Sequence, residues 1–277
     1  MPKQLTLMAV CPHPDDECTS AGAALALYGA QGVRTVVVTC TNGELGDGAG
    51  GVKPGAEGHD ERSVVETRLR ELADACRILG VTHSERLGYR DSGMSEWDFK
   101  THADAFCNVP VEQSTARLVE LMQKYEPDVV IADADNSGYD HPDHVRAHDI
   151  AVAAVKQSGI PSKLYFPAFG SRMFESMATA LVESGIELPD DFAMDDAGRA
   201  LMDAVDARIT TTIDATAHAE QVRNALLAHV SQIAESWFGQ VPLPAFTAAF
   251  GRGSYIRAFD TTGAPTPETD LFAGLRD

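Results

Sequence analysis

The fold is decided by residues 5–41, which read LTLMAVCPHPDDECTSAGAALALYGAQGVRTVVVTCT. An apolar run at 5–10 is typical of a buried strand, and it is followed by a helical pattern that ends at Gly32. A second apolar run, at 33–41, comes directly after that helix. Two apolar strands joined by one helix predict a βαβ unit, in which both strands are parallel.

The same alternation continues to about residue 170. Further strands are predicted at 84–90, 127–133 and 162–168, and further helices at 64–80, 112–125 and 141–159. Continuous apolar strands between helices indicate a doubly wound, mostly parallel α/β sheet that is covered on both faces. We therefore predict a single domain over 1–277, in which a core at 1–170 carries a helical C-terminal elaboration at 171–277.

Composition and charge narrow the class of protein. The chain has 277 residues, of which 44% are hydrophobic, and this is enough for a sizeable core. Its formal charge of -19 argues against a nucleic-acid partner and against binding to an acidic membrane surface, because both demand basic patches on the protein. The first apolar segment, at 5–11, is too short to predict a signal peptide, and no apolar run of about 20 residues predicts a membrane span. Five cysteines without a disulfide spacing predict reduced thiols in the cytoplasm.

Two polar motifs follow strands that we expect to be neighbours. The first contains His13 and Asp16 after strand one, and the second contains His144 just after strand four. In a doubly wound sheet with the order 3-2-1-4-5, the crevice opens between the carboxyl ends of these two strands. Two histidines and one carboxylate are the protein ligands of a catalytic zinc site with one open position. We predict one Zn²⁺ per chain, although Fe²⁺ or another divalent metal also suits these ligands.

The neighbouring side chains predict the remaining chemistry of a hydrolase. Asp15 cannot easily share a metal with its neighbour Asp16, so it is our candidate general base. His141 lies within range of a leaving amine, and Tyr139 could donate its hydroxyl to an oxyanion. His148 is expected to support the site or to pack beside it. The other histidines have no such context and are expected to be ordinary side chains: His59, His83, His102, His218 and His229.

Six blocks, spread from residue 12 to residue 275, resemble a known family. They are PHPDDE, TCTNGELGD, RLRELADACRILG, YRDSGM, GYDHPDH and ETDLFAGL, and they resemble the zinc-dependent PIG-L/LmbE-like deacetylases, especially the mycothiol branch. The resemblance implies a Rossmann-like fold and hydrolysis of an N-acyl group from a glucosamine-type amine.

The same resemblance implies roles for individual residues. It makes His13, Asp16 and His144 the zinc ligands, Asp15 the base, His141 the acid that protonates the departing amine, and Tyr139 the residue that polarises the carbonyl. It also implies that Arg68 and Asp91 hold sugar or cyclitol hydroxyls. Glu44 is a weaker candidate for substrate binding.

The predicted function is therefore zinc-dependent hydrolysis of an N-acylated amino sugar or a related small amide. The chain has long loops at 43–62 and 91–110, and the segments at 46–62 and about 95–110 within them depart from the mycothiol enzymes, so a natural-product amide remains an alternative substrate. A metal-dependent phosphoesterase and a non-catalytic sugar-binding domain are rival hypotheses. The sequence leaves the oligomeric state open, and a homo-oligomer is compatible with it.

Overall fold

A seven-stranded, mostly parallel sheet forms the centre of the protein. The computed structural model describes residues 3–134, 140–186, 188, 195–234 and 236–276. The strands are β1 (Thr6–Cys11), β2 (Arg34–Thr41), β3 (His83–Tyr89), β4 (Val129–Ala132), β5 (Lys163–Pro167), β6 (Thr211–Asp214) and β7 (Arg252–Asp260). Their order is β3-β2-β1-β4-β5-β7-β6, which confirms the predicted order of the first five.

Helices cover both faces of the sheet, as the sequence predicts. They are α1 (Gly22–Ala30), α2 (Glu61–Leu79), α3 (Val111–Tyr125), α4 (Pro142–Ser158), α5 (Ser171–Glu183), α6 (Asp196–Arg208), α7 (Ala219–Leu227), α8 (Val230–Ile233), α9 (Trp237–Gln240) and α10 (Leu243–Phe250). Successive strand side chains point to opposite faces. Leu7 and Ala9 therefore pack with α1, α2, α7 and α10, whereas Met8 and Val10 pack with α3 and α4. The α/β fold class is confirmed.

The region after residue 171 contains more than the predicted helices. Strand β7 pairs antiparallel with β5, and β6 pairs antiparallel with β7, so this region extends the sheet by two strands. Strand β6 has only four residues, and most of β7 is partly or fully exposed. Neither strand therefore shows the continuous apolar run that marks a buried parallel strand. The division at residue 170 stays a prediction.

A buried polar network fastens the C-terminal segment to the sheet. The ammonium group of Lys163 donates to Oε1 of Glu268 at 2.5 Å, and both side chains are fully buried. The hydroxyl groups of Tyr165 and Thr211 each donate to Oε2 of the same carboxylate at 2.8 Å. Because these bonds come from β5 and β6 and satisfy a buried charge, the ETDLFAGL block acts here as a structural element.

Four of the five cysteines are packed inside the protein. Cys11, Cys18, Cys40 and Cys76 are buried free thiols, as expected for packing residues. Among the described residues, none of the helices combines the length and the apolar character that a bilayer span requires.

Candidate active site

The candidate site lies at the carboxyl ends of β1 and β4, which pair directly in the sheet. Pro12 and the acidic turn that follows it leave the end of β1, and α4 begins at Pro142, shortly after the end of β4. Residues more than 120 positions apart in the chain therefore meet at one edge of the sheet. This is the convergence that the strand order predicts.

Local hydrogen bonds fix the turn after β1. The carbonyl oxygen of Pro12 accepts from both the amide and the hydroxyl of Thr41 on β2, at 2.9 and 3.0 Å. The backbone amide of His13 donates to Oδ2 of Asp16 at 2.9 Å. Ser20, on the π-helical turn that leads into α1, donates its hydroxyl to the carbonyl of Asp16 at 2.6 Å. The turn is thus tied to the neighbouring strand and to the following helix.

Three side chains converge on one point with the spacing of metal ligands. Oδ2 of Asp16 lies 3.3 Å from Nδ1 of His13 and 3.7 Å from Nε2 of His144. Two ligands with bonds of about 2.0 to 2.1 Å to a tetrahedral zinc ion stand about 3.3 Å apart. These three atoms lie within 4.8 Å of one another, so the residues fit a zinc-like ion.

A carboxylate oxygen lies close to the second ring nitrogen of each of these histidines. Oδ2 of Asp143 lies 3.2 Å from Nε2 of His13, and Oδ2 of Asp133 lies 2.8 Å from Nδ1 of His144. Metal-binding histidines commonly hold a carboxylate in this way, which orients the ring and raises its basicity. Sequence reasoning missed Asp133 and Asp143 as site residues. Only their positions in the sequence could have pointed to them, since Asp133 directly follows β4 and Asp143 lies between two site histidines.

We expect Asp133→Asn to weaken metal binding by about 10- to 100-fold, because the amide no longer supplies the charge that raises the basicity of His144. A competition titration with a chromophoric chelator measures this constant. The matched control is Asp149→Asn, since Asp149 is an exposed carboxylate on α4. Equal affinities for the two variants would contradict the assigned role of Asp133.

A second cluster shares one histidine with the first. Its atoms come from His13, Asp91, His141 and Asp143, all of them buried, and they also lie within 4.8 Å of one another. Asp143 is fully buried and already accepts from the amide of Ser92 at 2.9 Å and from the hydroxyl of Ser92. A catalytic site needs an open position for substrate. The set of His13, Asp16 and His144 meets this need better, because Asp16 and His144 are partly exposed.

The charges around the ligands favour a cation. Burial opposes ionisation of Asp16, but His144 and His13 hold the pKa of its carboxyl well below the usual range. Burial lowers the pKa of His13, but Asp91, Asp143 and Asp16 outweigh it and raise that pKa. A proton on His13 therefore balances the surrounding carboxylates in the metal-free chain. A divalent ion would supply the same compensation.

Asp15 has an unusual backbone and a perturbed carboxyl group. Its φ of 125° lies in a region that side chains other than glycine rarely adopt. Oδ2 of Asp15 accepts from the guanidinium of Arg68 at 3.0 Å. Burial raises the pKa of Asp15 to about 6, although the charge of Arg68 opposes the shift. A carboxyl group with this pKa suits a general base near neutral pH.

The two predicted substrate-binding residues are engaged with the protein itself. Arg68 is only 4% exposed and also donates to the carbonyls of Gly43, at 2.9 Å, and Pro14, at 2.7 Å. Asp91 is buried, and its Oδ1 accepts from the amide of Gly93 at 2.8 Å. Buried Glu44 accepts from the amide of Asp91 at 3.1 Å. These contacts shape the floor of the site, and sugar binding by Arg68 and Asp91 stays a prediction.

His141 begins α4 as its capping residue. Its Nδ1 accepts from the amide of Asp143 at 3.2 Å, so a neutral ring carries its proton on Nε2. Burial, followed by the charge of His13, lowers the pKa of His141 to about 3. The ring is therefore neutral at pH 7 in the metal-free chain. The role of His141 as the acid that protonates the departing amine stays a prediction.

Two further predicted residues have different outcomes. Nδ1 of His148 lies 2.9 Å from the carbonyl oxygen of Asp133, and its ring packs 4.8 Å from that of Phe166. His148 therefore supports the site by packing, as expected, and belongs to neither candidate ligand set. Tyr139, the predicted oxyanion donor, lies outside the described residues.

Comparison with known proteins gives a consistent result. A family model described as PIG-L: GlcNAc-PI de-N-acetylase matches residues 8–155. A 1D-myo-inositol 2-acetamido-2-deoxy-alpha-D-glucopyranoside deacetylase from Acidothermus cellulolyticus is 37% identical, and the match covers 98% of this chain and 95% of that protein. A mycothiol S-conjugate amidase from Streptomyces coelicolor is 32% identical, with coverage of 100% and 99%.

Solved structures share the fold at lower identity. The N,N'-diacetylchitobiose deacetylase from Pyrococcus horikoshii superposes with a TM-score of 0.57 at 19% identity. The match covers 85% of this chain and 75% of that one. At this identity the likeness supports the fold alone.

Proposed function

Since this chain belongs to the PIG-L family of GlcNAc-PI de-N-acetylases, we propose that it is a metal-dependent hydrolase of N-acylated glucosamine derivatives. The family membership, together with relatives that are named as a deacetylase and an amidase, supports cleavage of an amide bond. The substrate that we favour is an N-acetylglucosaminyl-inositol, because the relative at 37% identity is named for that compound.

One observation carries this proposal: an ionisable carboxyl, Asp15, stands beside a set of three metal-type ligands. A metal held by His13, Asp16 and His144 would polarise the acyl carbonyl and make water nucleophilic at neutral pH. Zn²⁺ suits the two nitrogens and one oxygen of these ligands, and Fe²⁺ is an alternative. A site built only to bind sugar has no need for a base.

The proposed reaction begins with Asp15. Its carboxylate takes a proton from the attacking water as the water oxygen bonds to the acyl carbon. The carbonyl oxygen then carries negative charge, and we propose that Tyr139 donates a hydrogen bond to it, as the sequence predicts. Breaking the C–N bond releases the acid and leaves an amine nitrogen that must gain a proton.

The environment of His141 helps to identify the group that gives the departing amine its proton. The sequence predicts His141 as the acid, but a neutral ring cannot readily give up its one remaining proton. A nearby metal ion would lower the pKa of His141 further, because it adds positive charge. We therefore propose that Asp15 passes the proton to the amine, while the N–H at Nε2 of His141 donates a hydrogen bond to the reacting group.

This assignment predicts an acid limb in the pH profile. Asp15 must be ionised to act as a base, so kcat/KM should fall about tenfold for each pH unit below its pKa. The midpoint should lie at or below about 6, since a bound cation lowers the value found for the metal-free chain. His141 should add no fall between about pH 6 and 8, because it is already neutral there. Steady-state kinetics from about pH 4.5 to 8.5 measure both features.

The function itself is tested by amine release from a substrate panel. The panel contains N-acetylglucosaminyl-inositol, a mycothiol S-conjugate and free N-acetylglucosamine, each offered to the zinc-loaded protein. We expect release from the inositol conjugate to be fastest. Release from none of the three, by protein that holds one metal per chain, would contradict the proposed substrate class and redirect the search to natural-product amides.

A further inference from the structure

We propose that His229 is a positioning residue for Asp15, and that it acts through the carboxylate of Glu17. The inference rests on the proposed function, in which Asp15 is the base, and it deepens that function. It gives the C-terminal region a part in catalysis, although the sequence predicts His229 to be an ordinary side chain.

A short chain of buried hydrogen bonds connects the three residues. Nε2 of His229 lies 2.7 Å from Oε1 of Glu17, and both side chains are fully buried. The other oxygen of that carboxylate, Oε2, accepts from the backbone amide of Asp15 at 3.0 Å. The thiol of Cys18 also donates to Oε1 of Glu17, at 3.2 Å. Glu17 therefore has one oxygen directed to His229 and the other to the backbone of the base.

Asp15 needs external support because of its backbone. A non-glycine residue in a sparsely populated φ/ψ region destabilises the folded chain, and it persists only where its surroundings hold it. Glu17 holds the amide of Asp15, and Arg68 holds its side chain. Loss of either contact allows the peptide to relax, and a shift of about 1 Å in a catalytic group can cost about 100-fold in rate.

Packing alone does not account for a histidine at position 229. Nδ1 of His229 is buried and has no hydrogen-bond partner among the described residues. A buried polar atom without a hydrogen-bond partner destabilises the folded chain, so an apolar side chain would fill this space with less loss of stability. The bond to Glu17 is the contact that an apolar side chain would lose.

The fold explains how a distant residue reaches the base. His229 lies between α7 and α8, and α7 packs against α2, the helix that carries Arg68. Arg68, which bonds to Asp15, and His229, which bonds to Glu17, therefore come from neighbouring segments on one face of the sheet. Glu17 and His229 are 212 residues apart in the sequence, so no local sequence motif contains both.

The test compares His229→Leu with His229→Gln. Leucine removes the bond to Glu17, whereas glutamine places an amide nitrogen close to the position of Nε2 and can restore it. We expect His229→Leu to lower kcat by about 10- to 100-fold with KM and metal content unchanged, and His229→Gln to recover most of this loss. His218→Leu is the control, because His218 lies just before α7 and bonds only to Gln221 among the described side chains.

A double-mutant cycle separates positioning from general damage. If His229 acts through Asp15, His229→Leu should cost little further activity in an Asp15→Asn background. Multiplicative losses, or an unchanged kcat in a folded His229→Leu protein, would overturn the inference. If the leucine variant fails to fold, His229→Asn, whose side chain ends short of Glu17, replaces it in the cycle. An inactive wild-type protein would instead count against the proposed function.

Discussion

Asp15→Asn is expected to lower kcat for amine release by about 10²- to 10⁴-fold while the metal remains bound. Asparagine has nearly the same shape, and its amide oxygen can still accept from Arg68, so the turn should keep its geometry. It cannot take a proton from water, which is the step assigned to Asp15. The measurement is steady-state amine release together with metal analysis of the same samples.

The control for this variant is Asp149→Asn, which removes an exposed carboxylate elsewhere on the molecule. Its kcat should equal that of the wild type. Near wild-type turnover by a metal-loaded Asp15→Asn protein would show that another group is the base. Loss of metal from that variant would instead indicate that Asp15 belongs to the ligand set.

Loss of the metal is expected to lower kcat as strongly as the Asp15→Asn substitution does. His144→Ala removes one of three ligands, and its effect on affinity should exceed the roughly 10- to 100-fold expected for Asp133→Asn. Dialysis of the wild type against a chelator should give the same inactive state. Zn²⁺ should restore activity to the dialysed wild type at one ion per chain, but not to His144→Ala at the same concentration.

The exposed His102 offers a control for the loss of a histidine, since it lies outside both ligand sets that contain His13. His102→Ala should bind metal and turn over substrate as the wild type does. Full activity in chelated protein, or a stoichiometry of two ions per chain, would contradict a single catalytic metal. The second result would favour the phosphoesterase hypothesis, because two-metal sites are typical of that class.

The parallel part of the fold could be predicted because its strands are buried on both faces. Runs such as LTLMAVC at the start of the chain leave little choice of structure, and the helices between them end at glycine, as at Gly80 and Gly159. Strands β6 and β7 could not be predicted in the same way. They form one end of the sheet, with β6 as the edge strand, and both are partly exposed, so their pattern resembles that of a loop.

The candidate ligands could be predicted because each follows a strand end that the sheet order brings together. The residues that orient them were harder to find. Asp143 lies in the first turn of α4, where acidic residues are common for another reason, and Asp133 follows β4 without a motif around it. His229 gave no signal, since its contact with Glu17 depends on the packing of α7.

The charge of His141 could not be predicted from its residue type. A histidine three residues before a ligand suggests a proton donor, and the resemblance implies the same role. Burial, the neighbouring His13 and the capping bond at Nδ1 instead keep the ring neutral in the metal-free chain. Protonation states depend on these three-dimensional contacts, which a sequence motif does not specify.

The central claim is that His13, Asp16 and His144 hold a metal ion beside Asp15. A crystal structure of the zinc-loaded protein, with anomalous diffraction collected at the zinc edge, tests it most directly. We predict one anomalous peak per chain, bounded by Nδ1 of His13, Oδ2 of Asp16 and Nε2 of His144. A peak on the opposite side of the His13 ring, bounded by Nε2 and by Asp91, His141 and Asp143, would contradict the account.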